Sequence, residues 1–303
     1  MAIDGDYLLD RKRLKRKLTL WRAVAIVSTI LVGLILANGL KKDFSGAGHI
    51  AVLKISGIIR NNPDLLSLIQ KARDDDSTKA LLVHVNSPGG TIVGGETLYR
   101  ALRQFAEKKP VVAVMGDLAT SAGYMVAIAA DRVFAQNGTV TGSIGVLLQS
   151  AEITTLLSRL GITVETIKSG LLKGTPGPLE KMIPETRAAS QAMVNDMFSM
   201  FTEMVANRRK MDLERVKTLS DGRVFSGRMA LNNGLIDAIG GQREAKIWLE
   251  SERSISKDLP SRILNSEKDM EGWLKKLSGF TEKLSLSERL TLDGLVSVWH
   301  PYD

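Results

Sequence analysis

The chain of 303 residues has no cysteine, which excludes metal-thiolate sites, thiol nucleophiles and a disulfide framework. Its compartment must therefore be read from other features. Histidine is nearly as scarce, with only His49, His84 and His300. None lies between Ser121 and Lys173, so a serine nucleophile there has no sequence-adjacent imidazole to activate it. Internal repeats are also absent. What is present is an apolar content of 44%, ordinary for a chain that buries a real core.

The formal charge of +8 would suggest nucleic acid if basic residues lined a folded face. The densest basic cluster, Arg11 to Lys17, instead stands just before an uncharged apolar run, Ala23 to Leu40. As a helix that run spans roughly 27 Å, close to the thickness of a bilayer core. Positive charge beside a span has a sufficient topogenic explanation, so no nucleic-acid partner is expected. The basic end should face the cytoplasm and everything after Lys41 the periplasm or exterior. A cleaved signal peptide is the competing reading, but isoleucine at position 35 spoils a small-x-small site at Ile35-Leu36-Ala37. The expected organisation is a basic cytoplasmic segment (1–22), a transmembrane anchor (23–40), a linker (41–49), a catalytic domain (50–250) and a charged, amphipathic tail (251–303). On one helical face the tail would carry Trp273, Leu274, Leu277 and Phe280.

Within 50–250, apolar strands alternate with helical segments. Strands are expected at Ile50–Ile55, Ala80–Val85, Val111–Met115, Arg132–Ala135, Thr163–Ile167 and Leu235–Asp237. Helices are expected near Leu65–Arg73, Gly94–Glu107, Ser121–Ala130, Thr154–Leu160 and Met182–Lys210, with another opening at Gly227. Strands separated by helices imply parallel βαβ units and an α/β core. The methionines of the 182–210 helix, at helical spacing with Phe201 and Val205, read as packed core or a subunit contact.

Chemistry-bearing motifs fall after strand ends, where open parallel sheets place their sites. Asn86-Ser87-Pro88-Gly89-Gly90 follows one strand, and its glycines allow backbone N–H groups to point into a cleft. Alone, this is an ordinary turn. Ser121 opens a run of small residues, Ser121-Ala122-Gly123-Tyr124; Thr120-Ser121 alone would be a helix N-cap. Thr141-Gly142-Ser143-Ile144-Gly145-Val146 and Lys168-Ser169-Gly170-Leu171-Leu172-Lys173 come next in order. A desolvated neutral lysine can take a serine proton where histidine is missing, but only if burial lowers its reference pKa of about 10.4 by several units. Lys168, Lys173 and Lys181 are the candidate bases.

These motifs, in this order, resemble the signal peptide peptidase A (SppA) family of Ser/Lys proteases, which share a Clp/crotonase-type core. The resemblance covers about Ile50 to Glu250, including Phe225-Ser226-Gly227 and Gly234-Leu235-Ile236-Asp237. It implies that Ser121 is the nucleophile, Lys173 the general base and Ser143 the group that orients the lysine, with Lys168 second choice as base. It also implies an oxyanion hole from the Gly89-Gly90 turn and Ala122, with either glycine as donor. Many members carry glycine where this chain has Ala122, yet alanine still supplies the N–H. Val93, Leu147 and Leu148 are suggested as pocket residues by adjacency alone.

No metal or cofactor is implied. The implied partners are hydrophobic peptides such as signal peptides, the membrane, and further copies of the chain in a ring whose neighbour can supply the lysine. A Clp-like Ser/His/Asp triad would need a histidine shortly after the serine, and none fits; His84 reads as a hydrogen-bonded core residue, and Asp117 and Asp131 as turn or capping residues. A non-catalytic scaffold of the same fold and, further off, a crotonase-like acyl-CoA enzyme are the other function classes.

Overall fold

The structure is a computed structural model that describes residues 17–33, 48–264 and 296–298. The chain divides into two compact units, Met1–Gly48 and His49–Asp303. In the first, a helix α1 spans 17–33, and its side chains are exposed throughout. Among the described residues no helix is long and apolar enough to cross a membrane. The expected span Ala23–Leu40 has its second part, 34–40, outside the described residues.

The second unit opens with β1 (His49–Ser56), α2 (Pro63–Asp74), β2 (Thr78–Ser87), β3 (Gly89–Thr91), α3 (Ile92–Ala106), β4 (Val111–Thr120) and α4 (Ala122–Ala127). It continues through β5 (Arg132–Ala135), β6 (Val140–Gly142), α5 (Thr154–Arg159), α6 (Pro184–Arg209), α7 (Leu213–Leu219), β7 (Val224–Ser226) and α8 (Gly227–Asn232). Last come β8 (Ala238–Ile239), α9 (Gln242–Arg253), β9 (Ser261–Ile263) and β10 (Val296–Val298). The main sheet runs β7-β6-β4-β2-β1-β9, with β5 and β8 branching from β4. The pairings β1–β2, β2–β4, β4–β5 and β4–β6 are parallel, as the βαβ pattern requires.

The long strand β4 forks. Val112–Val114 pair with Arg132–Phe134 of β5, whereas Leu118–Thr120 pair with Val140–Gly142 of β6. Asn86 bridges the fork by accepting the Leu118 N–H on Oδ1 at 3.1 Å. The continuation of β4 past the fork carries the chain to Ser121.

Strand alternation sorts the core into two layers. Ala51, Leu53, Ile55, Leu81, Val83, Val85, Val111, Ala113 and Met115 pack against buried residues of α2, α3 and α4. Ile50, Val52, Ala80, Leu82, Val112 and Val114 face the other way, onto Ala245 and Leu249 of α9. Beyond that helix, toward the strand ends, a cavity of about 670 Å³ is lined by His84, Asp117, Gln136 and the α9 start at Gly241-Gln242.

The sequence reading needs four corrections. Residues 162–168 form no strand: their alternating Thr-Val-Glu-Thr-Ile pattern fits a strand template, but nothing in the chain covers the face it would bury, and Ile167 is 95% exposed. The expected strand at Leu235–Asp237 forms two residues later as β8, because the Asp237 N–H and the Gly240 N–H are already bonded to Val133 and Ala135. The tail is more than a helix or mobile segment: α9 runs on to Arg253, β9 adds to the main sheet beside β1, and β10 pairs with β3. Trp273, Leu274, Leu277 and Phe280 lie outside the described residues. Finally, His84 is only half-buried beside the cavity, with no hydrogen bond among the described residues. The buried, hydrogen-bonded histidine is His49, whose ring nitrogens lie 3.4 Å from Ser77 Oγ and 3.2 Å from Thr78 Oγ1.

Candidate active site

Ser121 occupies a strained turn between β4 and α4, at φ 56° and ψ −119°. A non-glycine residue holds such a conformation only where its surroundings over-determine it. Here they do. Its N–H donates to the Gly142 carbonyl at 2.8 Å, its carbonyl accepts from Met125, and the residue is 1% exposed. The hydroxyl makes no capping hydrogen bond to α4. The simple N-cap account of Thr120-Ser121 therefore fails, and the side chain is left free for other work.

Register brings Ser143 alongside. Thr120 and Gly142 are paired residues of adjacent parallel strands, so Ser121 and Ser143 each follow the last rung of the ladder. Ser143 is also buried and at positive φ, 48°, with its N–H donating to the Arg223 carbonyl at 2.9 Å.

The Ser87–Gly90 turn closes the third side. Thr120 Oγ1 donates to the Pro88 carbonyl at 3.0 Å. A Cβ on Gly123 would come within 2.9 Å of the Ser87 carbonyl oxygen, so glycine lets the start of α4 press against this turn. Ala122 is buried there, and N–H groups of a first helical turn have no intrahelical acceptor. The two glycines differ in what their amides do. Gly89 N–H donates to Ser87 Oγ at 3.1 Å. Its carbonyl and the Thr91 N–H both bond Ile59, so the intervening Gly90 turns its own N–H and C=O to the opposite edge.

Sequence reasoning missed the residues that fix α4 from behind. Arg208 donates to the carbonyls of Ile128 and Ala130, and Arg103 to that of Ala129, satisfying the carbonyls just past the helix end. Tyr124 is fully buried and donates to the Leu235 carbonyl at 2.9 Å; burial pushes its phenol well above the ordinary tyrosine range. Arg209 makes a bidentate pair with Asp237, whose carboxylate also accepts the Val133 N–H. Long-range arginine contacts of this kind leave no local sequence pattern. Asp131 accepts from the Val111 N–H and Arg103, the structural role expected of it, while Asp117 is exposed beside the cavity.

Lys173 is placed differently. It lies in an exposed turn, with its N–H donating to the Gly170 carbonyl and its amine in no ion pair among the described residues. Lys168 is partly buried but commits its amine to Glu180 at 2.5 Å, and Lys181 is exposed. Residues 145–185 include no buried residue at all. Of the suggested pocket residues, Val93 and Leu147 are exposed and Leu148 half-buried.

A buried serine on a strained strand-to-helix turn, beside a glycine turn and at the ends of parallel strands, defines a Clp-type α/β peptidase domain, and the Clp protease family model matches residues 63–141. The model of Peptidase family S49 matches residues 103–256. The chain belongs to peptidase family S49. A Synechocystis sp. protein named for a protease, slr0021, is 33% identical over 78% of this chain and 84% of its own length. An Enterococcus faecium protein named for signal peptide peptidase SppA is 34% identical over 65% of this chain and 57% of its own length. Serine protease SPPA of Arabidopsis thaliana, described as chloroplastic, is 29% identical over 77% of this chain and 37% of its length. The chain thus spans most of the first relative but only about half, or less, of the other two.

Proposed function

We propose that this peptidase is a serine endopeptidase with a Ser121/Lys173 dyad. Its substrates would be hydrophobic peptides, such as spent signal peptides, in or near the membrane that holds its N-terminal segment. Ser121 Oγ attacks the peptide carbonyl as Lys173 Nζ takes its proton; Ser143 orients the amine. The N–H of Ala122 and one glycine of the Gly89-Gly90 turn hold the oxyanion. Lys173 returns the proton to the leaving amine, and water, activated by the same lysine, hydrolyses the acyl-enzyme. The observation that carries this reading is the buried, strained, uncapped hydroxyl of Ser121.

A neutral lysine needs a desolvated site, and the arm bearing Lys173 buries nothing within one chain. Ile153, Leu156, Leu160, Ile162, Ile167 and Leu171 are all exposed on it. A second copy covering this arm would both bury that surface and desolvate the amine, which supports a homo-oligomeric ring with sites completed between neighbours. The exposed apolar residues of α1 on every side, among them Leu20, Val24, Val27 and Leu31, suit a lipid surrounding.

Reaction with a fluorophosphonate tests the dyad. The assembled protein should be labelled, and Ser121→Ala and Lys173→Ala should each abolish labelling while leaving the circular dichroism spectrum unchanged. A folded, assembled wild type that resists labelling would leave the scaffold reading in its place.

A further inference from the structure

The glycine strand beside Ser121 is already occupied. β10 pairs antiparallel with β3, matching Val296 with Thr91, Ser297 with Gly90 and Val298 with Gly89. These two strands form a sheet of their own, apart from the main one. β9, from the same tail, shows what an ordinary structural strand does here: it extends the main sheet beside β1. β10 instead takes the edge of β3 opposite Ile59, the edge to which Gly90 presents its N–H and C=O.

Its direction is that of a substrate. In acyl transfer the residues N-terminal to the scissile bond stay on the enzyme as the acyl group, so they must lie along the binding edge with the chain running toward the nucleophile. β10 runs from Thr91 toward Gly89, one residue from Pro88, whose carbonyl is bonded by Thr120 next to Ser121. Strand addition to an exposed edge is a common way of binding extended peptides, with main-chain hydrogen bonds providing affinity.

We propose that the 296–298 segment is an internal occupant of the peptide-binding edge, held as the acyl side of a substrate would be and competing with substrates for it. The proposal rests on the serine peptidase reading of the site. A tethered segment acts at an effective concentration on the order of millimolar, so an incoming peptide sees only the vacated fraction of sites.

Two variants release the edge: Ser297→Pro in the full chain, which disrupts the short ladder, and a chain ending at residue 295. Each should lower KM for a hydrophobic peptide, and raise the rate of Ser121 labelling by a fluorophosphonate, by about tenfold. A synthetic peptide of residues 293–303, added to the shortened chain, should reverse the gain competitively. Unchanged KM and labelling rate in both variants, with no inhibition by the peptide, would overturn the proposal. A labelled copy of the peptide, followed by fluorescence anisotropy on the shortened chain carrying Ser121→Ala, separates the two ideas. Binding there without any wild-type labelling would retain the strand site and defeat the peptidase reading; labelling of the wild type without peptide binding would do the reverse.

Discussion

The two halves of the proposed dyad sit in opposite kinds of surroundings. Ser121 is held by hydrogen bonds on both sides of its peptide unit, walled by the Ser87–Gly90 turn and backed by arginines that cap α4. Lys173 belongs to an arm, 145–185, that has no buried residue and displays a series of large apolar side chains. A single chain is enough to build the nucleophile and its backbone donors. It is not enough to desolvate a lysine amine, so the protomer by itself fixes the half of the chemistry that needs precise position and leaves open the half that needs a dry environment.

Alanine at two glycines gives the sharpest break. At Gly90 a Cβ would stand 1.8 Å from the Ile59 carbonyl oxygen, and the backbone must move to admit it. Gly90→Ala should lower stability by about 2–4 kcal/mol and abolish labelling of Ser121. At Gly170, in the arm, a Cβ meets nothing within 4 Å and φ is not positive. Gly170→Ala should leave stability within about 0.5 kcal/mol. Urea denaturation of both variants measures the contrast, and equal losses would erase the distinction between the two regions.

That contrast also separates what could be read in the sequence from what could not. Long strands with a continuous apolar run, β1, β2 and the first part of β4, were legible because burial on both faces leaves its mark in the composition. The serine, glycine and Thr-Gly-Ser motifs were legible by their order, and the ladder places Ser121 and Ser143 side by side. Thr163–Ile167 misled because alternation reports a face fit for burial without saying which molecule buries it. β10 escaped notice because three residues carry no period, and its pairing with β3 depends on a partner far away in the chain.

The apolar arm supplies the next test. Ile167→Asp alters a side chain that is 95% exposed, so the melting temperature of a protomer should hardly change. A charge introduced into an interface centre is another matter, and activity should fall about a hundredfold as the assembly dissociates. Sedimentation velocity beside peptide hydrolysis reads both. Full activity from a verified monomer would show that Lys173 needs no second copy. On the rigid side, Tyr124→Phe removes the donor to the Leu235 carbonyl inside the core. It should cost about 1–3 kcal/mol in urea denaturation, because the carbonyl is left buried and unpaired.

The smallest effect concerns pH, and it belongs to the rigid region at the far end of β1. His49 is held below the ordinary histidine value chiefly by burial, then by the charge of Arg262, with Asp75 pulling the other way. The folded state thus favours the neutral ring, which sits against the hydroxyls of Ser77 and Thr78. Below about pH 6.5 the unfolded chain binds a proton that the folded chain resists. The stabilisation tied to neutral His49 is complete above that pH and is lost as pH falls toward the folded value. His49→Gln keeps a polar group for hydrogen bonding but cannot titrate. The melting temperature of the variant should therefore fall less than that of the wild type between pH 7 and pH 5, whatever its absolute level. Parallel melting curves across that range would mean that His49 has no part in acid sensitivity.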